Sequence, residues 1–108
     1  MTTPSNVSNA FQLFLSEAPA HAEVWMKAVE GLDRASALDK KTEELAYIAV
    51  LAALRLTSGV PFHVKSARLN GATREEIIGA VLIGLPAAGN AVVQSLPAAL
   101  NAFDEQDQ

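Results

Sequence analysis

The sequence predicts an all-α fold of about six helices. Three observations carry that prediction. Apolar residues make up 50% of the 108 positions but aromatic ones only 6%, so the core must be built from Ala, Leu, Val and Ile, and Ala and Leu favour helices. Apolar residues recur at three- and four-residue spacing in several windows. Nowhere do β-branched residues alternate with polar ones over a strand's length.

The elements follow in order. Ser5 to Glu17 reads as a first helix, with Val7, Phe11, Phe14 and Leu15 on one stripe. Ala18-Pro19-Ala20 breaks it, and Pro19 suits the first turn of a second helix running to about Leu32. Trp25, Ala28, Val29 and Leu32 form the apolar side of that helix, and Glu23, Lys27 and Glu30 face water on the other. His21, in its first turn, reads as a surface histidine. Asp39 is a good N-cap for a third helix, about Lys40 to Leu56, with Glu43 and Glu44 where acids favour the helix dipole. Its LAYIAVLAAL run, Leu45 to Leu54, is apolar on every side, which predicts burial on every side. A chain this small buries a limited share of its surface. Self-association as a homo-oligomer is the expected solution.

Thr57-Ser58-Gly59 is the next break, and Pro61 opens a fourth helix to about Asn70. Gly71 supplies the left-handed position after it. Thr73 and Glu76 form a capping box for a fifth helix that stops at Pro86. The sixth spans roughly Ala88 to Phe103 with a kink at Pro97. Ala80 to Leu100 carries no charge and is long enough to cross a bilayer. Its prolines and glycines, with Asn90, Gln94 and Ser95, read instead as two buried elements broken at Pro86.

Composition excludes several functions. The chain has no cysteine, so disulfides, thiolate chemistry and thiolate metal sites are ruled out. Two distant histidines do not make a metal site, and no cofactor is called for. The net charge of −4, with an acidic end (Asp104, Glu105, Asp107) and no basic stripe, argues against nucleic acid. The N-terminus has neither a basic nor an apolar signal region, which points to the cytoplasm and away from a membrane. The whole reads as one domain, with N-terminal helices over 5–32 and a core over 38–103.

The candidate site is Glu44 with His63, on consecutive helices. By axial rise the two lie about 18 Å and about 6 Å from the junction, a poor match for contact within one simple hairpin. They meet if the third helix bends, if the helices cross, or if Glu44 comes from a neighbouring subunit. Taken singly, Glu44 is a dipole-favouring surface acid, His63 an ordinary helix histidine, Thr57 and Ser58 turn residues, and Lys65 and Arg68 a solvated face. Arg55 and Tyr47 are possible polar anchors.

The run LDKKTEELAYIAVLAALR, followed by VPFHVKSARLNGATREEI, resembles the carboxymuconolactone decarboxylase-like superfamily, which includes alkyl hydroperoxidase D. The resemblance covers about Leu38 to Leu85 and implies a helical fold assembling as trimers or hexamers. In the redox branch, a glutamate early in the long helix precedes a Cys-x-x-Cys-x-x-x-His motif, and glutamate, histidine and a water relay protons to the thiols. Glu44 and His63 match the relay, while Leu56 and Gly59 stand at the cysteine positions. Peroxidase activity needs a thiolate that this chain does not have, so antioxidant function is disfavoured. The decarboxylase branch works without the cysteines, but a further histidine is expected on later helices, and none follows His63.

What the resemblance implies is acid–base chemistry on a small carboxylate or lactone. His63 and Glu44 would be catalytic, and Gly59, Ser58, Leu56 and Tyr47 would bind substrate. Gly59 would leave a void beside His63, and N–H groups at the start of the fourth helix would hold an anion. The alternative is a non-catalytic oligomeric scaffold or binding protein.

Overall fold

The computed structural model describes residues 8–105, so the predicted start at Ser5, with Val7, and the terminal Asp107 lie outside the described residues. The chain separates into two compact units, Met1–Asp39 and Lys40–Gln108. In the first, α1 (Asn9–Glu17) is capped by Ser8, whose hydroxyl accepts the Phe11 N–H at 3.2 Å. The chain breaks at Ala18, and α2 (Pro19–Ala35) starts with proline in its first turn, as expected, and runs three residues past Leu32. Ala22 is the one buried residue of these two helices. The apolar side of α2 is therefore uncovered: Val24 is 71% exposed, Leu32 70% and Trp25 53%.

The second unit holds α3 (Lys40–Ala53), the 3-10 turn η1 (Thr57–Gly59), α4 (Val60–Leu69), α5 (Arg74–Leu82), the single turn α6 (Leu85–Ala88), a 3-10 stretch η2 (Gly89–Ser95) and α7 (Leu96–Asp104). No strand forms among the described residues, and the class is all-α. One core, with Ile48, Val60, Val64, Ile77, Val81 and Val92 fully buried, joins α3, α4, α5 and η2, and Ala99 and Ala102 bring in α7. Within the chain α3 buries one side only. Ile48, Leu51 and Ala52 face the core, but Tyr47, Val50 and Leu54 are about half exposed or more. Burial of α3 on all sides, expected from its composition, is not achieved by a single chain.

Two helix ends share one hydrogen-bond pattern. At α3, the Leu56 N–H donates to Leu51 O (2.9 Å) and the Arg55 N–H to Ala52 O (3.2 Å), with Arg55 at φ 63°. At α4, the Ala72 N–H donates to Ala67 O (2.9 Å) and the Gly71 N–H to Arg68 O (3.0 Å), with Gly71 at φ 98°. Both are Schellman motifs, which satisfy the last carbonyls through a left-handed residue. Gly71 fills that role as the sequence predicts; Arg55 does so with a side chain that disfavours the conformation. A Cβ at position 71 would touch nothing within 4 Å, so strain alone sets its effect. Gly71→Ala is expected to cost about 1 kcal/mol, read as a lower denaturant midpoint with an unchanged slope.

The Thr73–Glu76 capping box is present in both directions, and Lys41 Nζ holds the Glu76 carboxylate at 3.0 Å. The prolines act differently from expectation. Pro86 opens α6 instead of ending α5, and Pro97 sits in the first turn of α7 instead of kinking a longer helix. Proline lacks the N–H that a first turn leaves unpaired anyway. The run Arg74–Asp104 has the length and hydropathy of a membrane span, but glycine at 84 and 89 divides it and its pieces pack on α3 and α4. Lys65 and Arg68 are not a solvated face. Lys65 pairs with Glu105 at 2.6 Å, and Arg68 donates to the carbonyls of Phe103 and Glu105 while lying 5.7 Å from the Phe103 ring centre. With the two-pronged Arg74–Asp104 pair at 3.0 Å, they fasten the end of α7.

Candidate functional site

Glu44 and His63 meet within one chain: His63 Nδ1 lies 2.7 Å from Glu44 Oε1. The distance argued from the sequence fails because the junction was misplaced. Helix α3 ends at Ala53, three residues before the expected Leu56, so Glu44 is only about 14 Å from its end. The Schellman turn then reverses the chain, and residues 54–59 run back beside α3, with Gly59 against Leu51. A 3-10 turn rises about 2 Å per residue, so η1 covers much of the missing length. His63 arrives opposite Glu44 with no bend in α3.

The carboxylate is held on both oxygens. Ser66 Oγ donates to Oε2 at 2.8 Å, and Lys40 Nζ stands 3.5 Å from the same oxygen. Ser66 is three residues after His63, on the same face of α4. Glu44 is 5% exposed. Burial, the largest single influence, pushes its carboxyl up. The hydrogen bonds from His63 and Ser66, with the positive charges of His63 and Lys40, together outweigh it and hold the group below its ordinary 4.5. Since the folded value is the lower one, Glu44 stabilises the fold fully above the unfolded value, and that contribution disappears as pH falls through the folded value. Ser66→Ala removes one of the lowering bonds. It should raise the Glu44 carboxyl toward its ordinary range, read by carbon-13 titration of that side chain.

Two aromatic rings bracket the imidazole edge-on: Tyr47 at 4.3 Å and Phe62 at 5.2 Å between ring centres, both with interplanar angles of 84°. Both are about half exposed, while the His63 side chain is 23% exposed. An ionised carboxylate can only accept, so a neutral ring at this distance carries its proton on Nδ1 and leaves the lone pair on Nε2.

Of the other expected site residues, Tyr47 is brought to His63. Leu56 and Ser58 lie exposed on the connecting segment. A Cβ at Gly59 would meet Leu51, at 3.5 Å, and no atom of His63 within 4 Å. The first backbone donors leading into α4 are engaged. Gly59 donates to Leu56 O and Val60 to Thr57 O, and Pro61 has none to give. Lys40, Phe62 and Ser66 were missed by sequence reasoning. Lys40 and Ser66 had a usable signal, since each falls within one helical turn of a residue already singled out. Among the described residues no three His, Asp or Glu side chains gather to hold a metal.

The profile of the carboxymuconolactone decarboxylase family matches residues 19–105. The chain belongs to the carboxymuconolactone decarboxylase family. It is also 35% identical over 71 residues to uncharacterized protein 4 in the cox locus of Paracoccus denitrificans. That alignment covers 66% of this chain, and the chain spans 64% of the relative's length. No solved structure matches. This member of the carboxymuconolactone decarboxylase family contains no cysteine. Leucine and glycine occupy positions 56 and 59, on the segment that connects the helices carrying Glu44 and His63.

Proposed function

We propose that this protein transfers a proton to or from carbon on a small lactone or carboxylate, with His63 as the proton carrier and Glu44 as its positioning partner. The 2.7 Å contact between Nδ1 and the buried carboxylate carries this reading. A carboxylate in that position fixes the tautomer, orients the ring and stabilises the imidazolium formed when Nε2 takes up a proton. Ser66 and Lys40 keep the carboxylate ionised and in place.

For a carboxylated lactone, the family name suggests decarboxylation. Breaking the C–C bond to the carboxylate releases CO2 and leaves the electron pair on the conjugated lactone as a dienolate. The imidazolium Nε2–H then delivers one proton to carbon, and solvent restores it. Charge and atoms balance without a second reagent. Thiol peroxidase chemistry has no cysteine thiol to act with. A scaffold role remains the competing reading, because Phe62 and Tyr47 crowd the imidazole. The test is turnover of a set of unsaturated lactones and enol carboxylates by the wild-type protein and by His63→Ala. Turnover that His63→Ala leaves unchanged would end the acid–base reading.

A further inference from the structure

Resting on the proton-transfer reading of the Glu44–His63 pair, we infer that Tyr47 is a second catalytic residue of that site: its phenol O–H donates to the oxygen on which an enolate collects its charge. Removing a proton from the carbon beside a lactone carbonyl, or CO2 from a position conjugated with it, leaves the electron pair largely on the carbonyl oxygen. Such a reaction needs a fixed donor that meets this oxygen as the charge forms. His63 does not fill that place, because its Nε2 serves the carbon.

Few groups in the Lys40–Gln108 unit are left for the task. Ser66 gives its hydroxyl hydrogen to Glu44, and Lys40 stands 3.6 Å from Glu43 and 3.5 Å from Glu44. Lys41 is held by Glu76, while Lys65, Arg68 and Arg74 hold the end of α7. Arg55 lies beyond the end of α3, about 14 Å from Glu44. Phe62, on the other side of the imidazole, carries no donor.

The position of Tyr47 suits the role. It comes three residues after Glu44, so both project from one face of α3. Its ring centre is 4.3 Å from that of His63, with the planes at 84°. Covalent ring dimensions then keep the phenol oxygen within about 8 Å of Nε2. A five-membered lactone spans such a gap, with its carbonyl oxygen on the hydroxyl and its reacting carbon about 3 Å from Nε2. A neutral donor has a further advantage here. A cation in its place would compete with His63 for the Glu44 carboxylate, and a phenol does not.

Tyr47→Phe keeps the ring against His63 and removes only the hydroxyl. The probe is tetronate, the anion of tetronic acid, a planar five-membered lactone enolate that is ionised at neutral pH. It is titrated by NMR into the full-length wild type, Tyr47→Phe and His63→Ala. Tetronate should bind the wild type, and Tyr47→Phe should weaken it at least about tenfold, as expected for a hydrogen bond to a charged group. The Nδ1–H tautomer of His63 should be unchanged in that variant. On a lactone that the wild type turns over, Tyr47→Phe should lower kcat by about 10²–10³-fold with KM little changed. Equal tetronate affinity in the wild type and Tyr47→Phe, with loss in His63→Ala, would overturn the role of Tyr47 and leave the proton-transfer reading standing. No binding by the wild type, or equal binding by all three proteins, would overturn both.

Discussion

His63→Ala is expected to lower turnover of a lactone or enol carboxylate by about 10²–10⁴-fold, the usual contribution of a positioned acid or base. The imidazole is only partly buried, with 23% of its side chain exposed, so its loss should leave the fold intact. The main structural consequence is an unpaired Oε1 on Glu44, which Ser66 and Lys40 still flank. Glu44→Gln separates positioning from proton transfer. The amide keeps the shape of the carboxylate but cannot stabilise an imidazolium, so the rate should fall while the substrate's KM changes little. Steady-state kinetics of the two variants over pH, with far-UV circular dichroism as a check on folding, read both effects.

The largest effect on stability is expected at Ile48. This side chain is fully buried, one helical turn after Glu44 on the core side of α3. Ile48→Ala should cost about 2–5 kcal/mol, the range for removing a large aliphatic side chain from a packed interior. In a unit of this size that corresponds to a fall in Tm of roughly 10 °C or more. Tyr47 next to it is about half exposed, and Tyr47→Ala should cost far less stability while releasing one wall of the imidazole. Thermal and denaturant unfolding of the two variants should therefore separate sharply, although the positions adjoin.

Much of the fold was legible in the sequence where local chemistry decides it. Gly71, the Thr73–Glu76 capping box and Pro19 each specify their turn with little tertiary help. The all-helical class followed from composition and spacing. The end of α3 was not legible, because Arg55 takes the left-handed position that usually marks itself by glycine. That three-residue error, with the unforeseen return of residues 54–59 beside α3, made Glu44 and His63 seem too far apart. Pro86 and Pro97 were read as breaks because a proline's two roles, ending one helix or opening another, look alike until neighbouring turns are seen. The cover over α3, expected to come partly from neighbouring subunits, is incomplete within one chain. Apolar periodicity shows which side of a helix avoids water, not whether one chain suffices to cover it.

In the site, the pair itself was found, but its supports were not. Neither Ser66 nor Lys40 draws a functional reading from the sequence. Their roles depend on where Glu44 points once buried. What a missing side chain at Gly59 leaves open depends on what its backbone faces, and on one side it faces Leu51.

Nitrogen-15 correlation spectra of the His63 imidazole, recorded with the ring neutral, would decide the matter most directly. The His63 ring should be a single Nδ1–H tautomer in the wild-type protein, with free 4-methylimidazole in the same buffer as the reference that exchanges between both forms. It should lose that preference in Glu44→Gln. A His63 ring protonated on Nε2, or one averaging like the free ring, would contradict the account, because the carboxylate would then not be holding the imidazole for proton transfer.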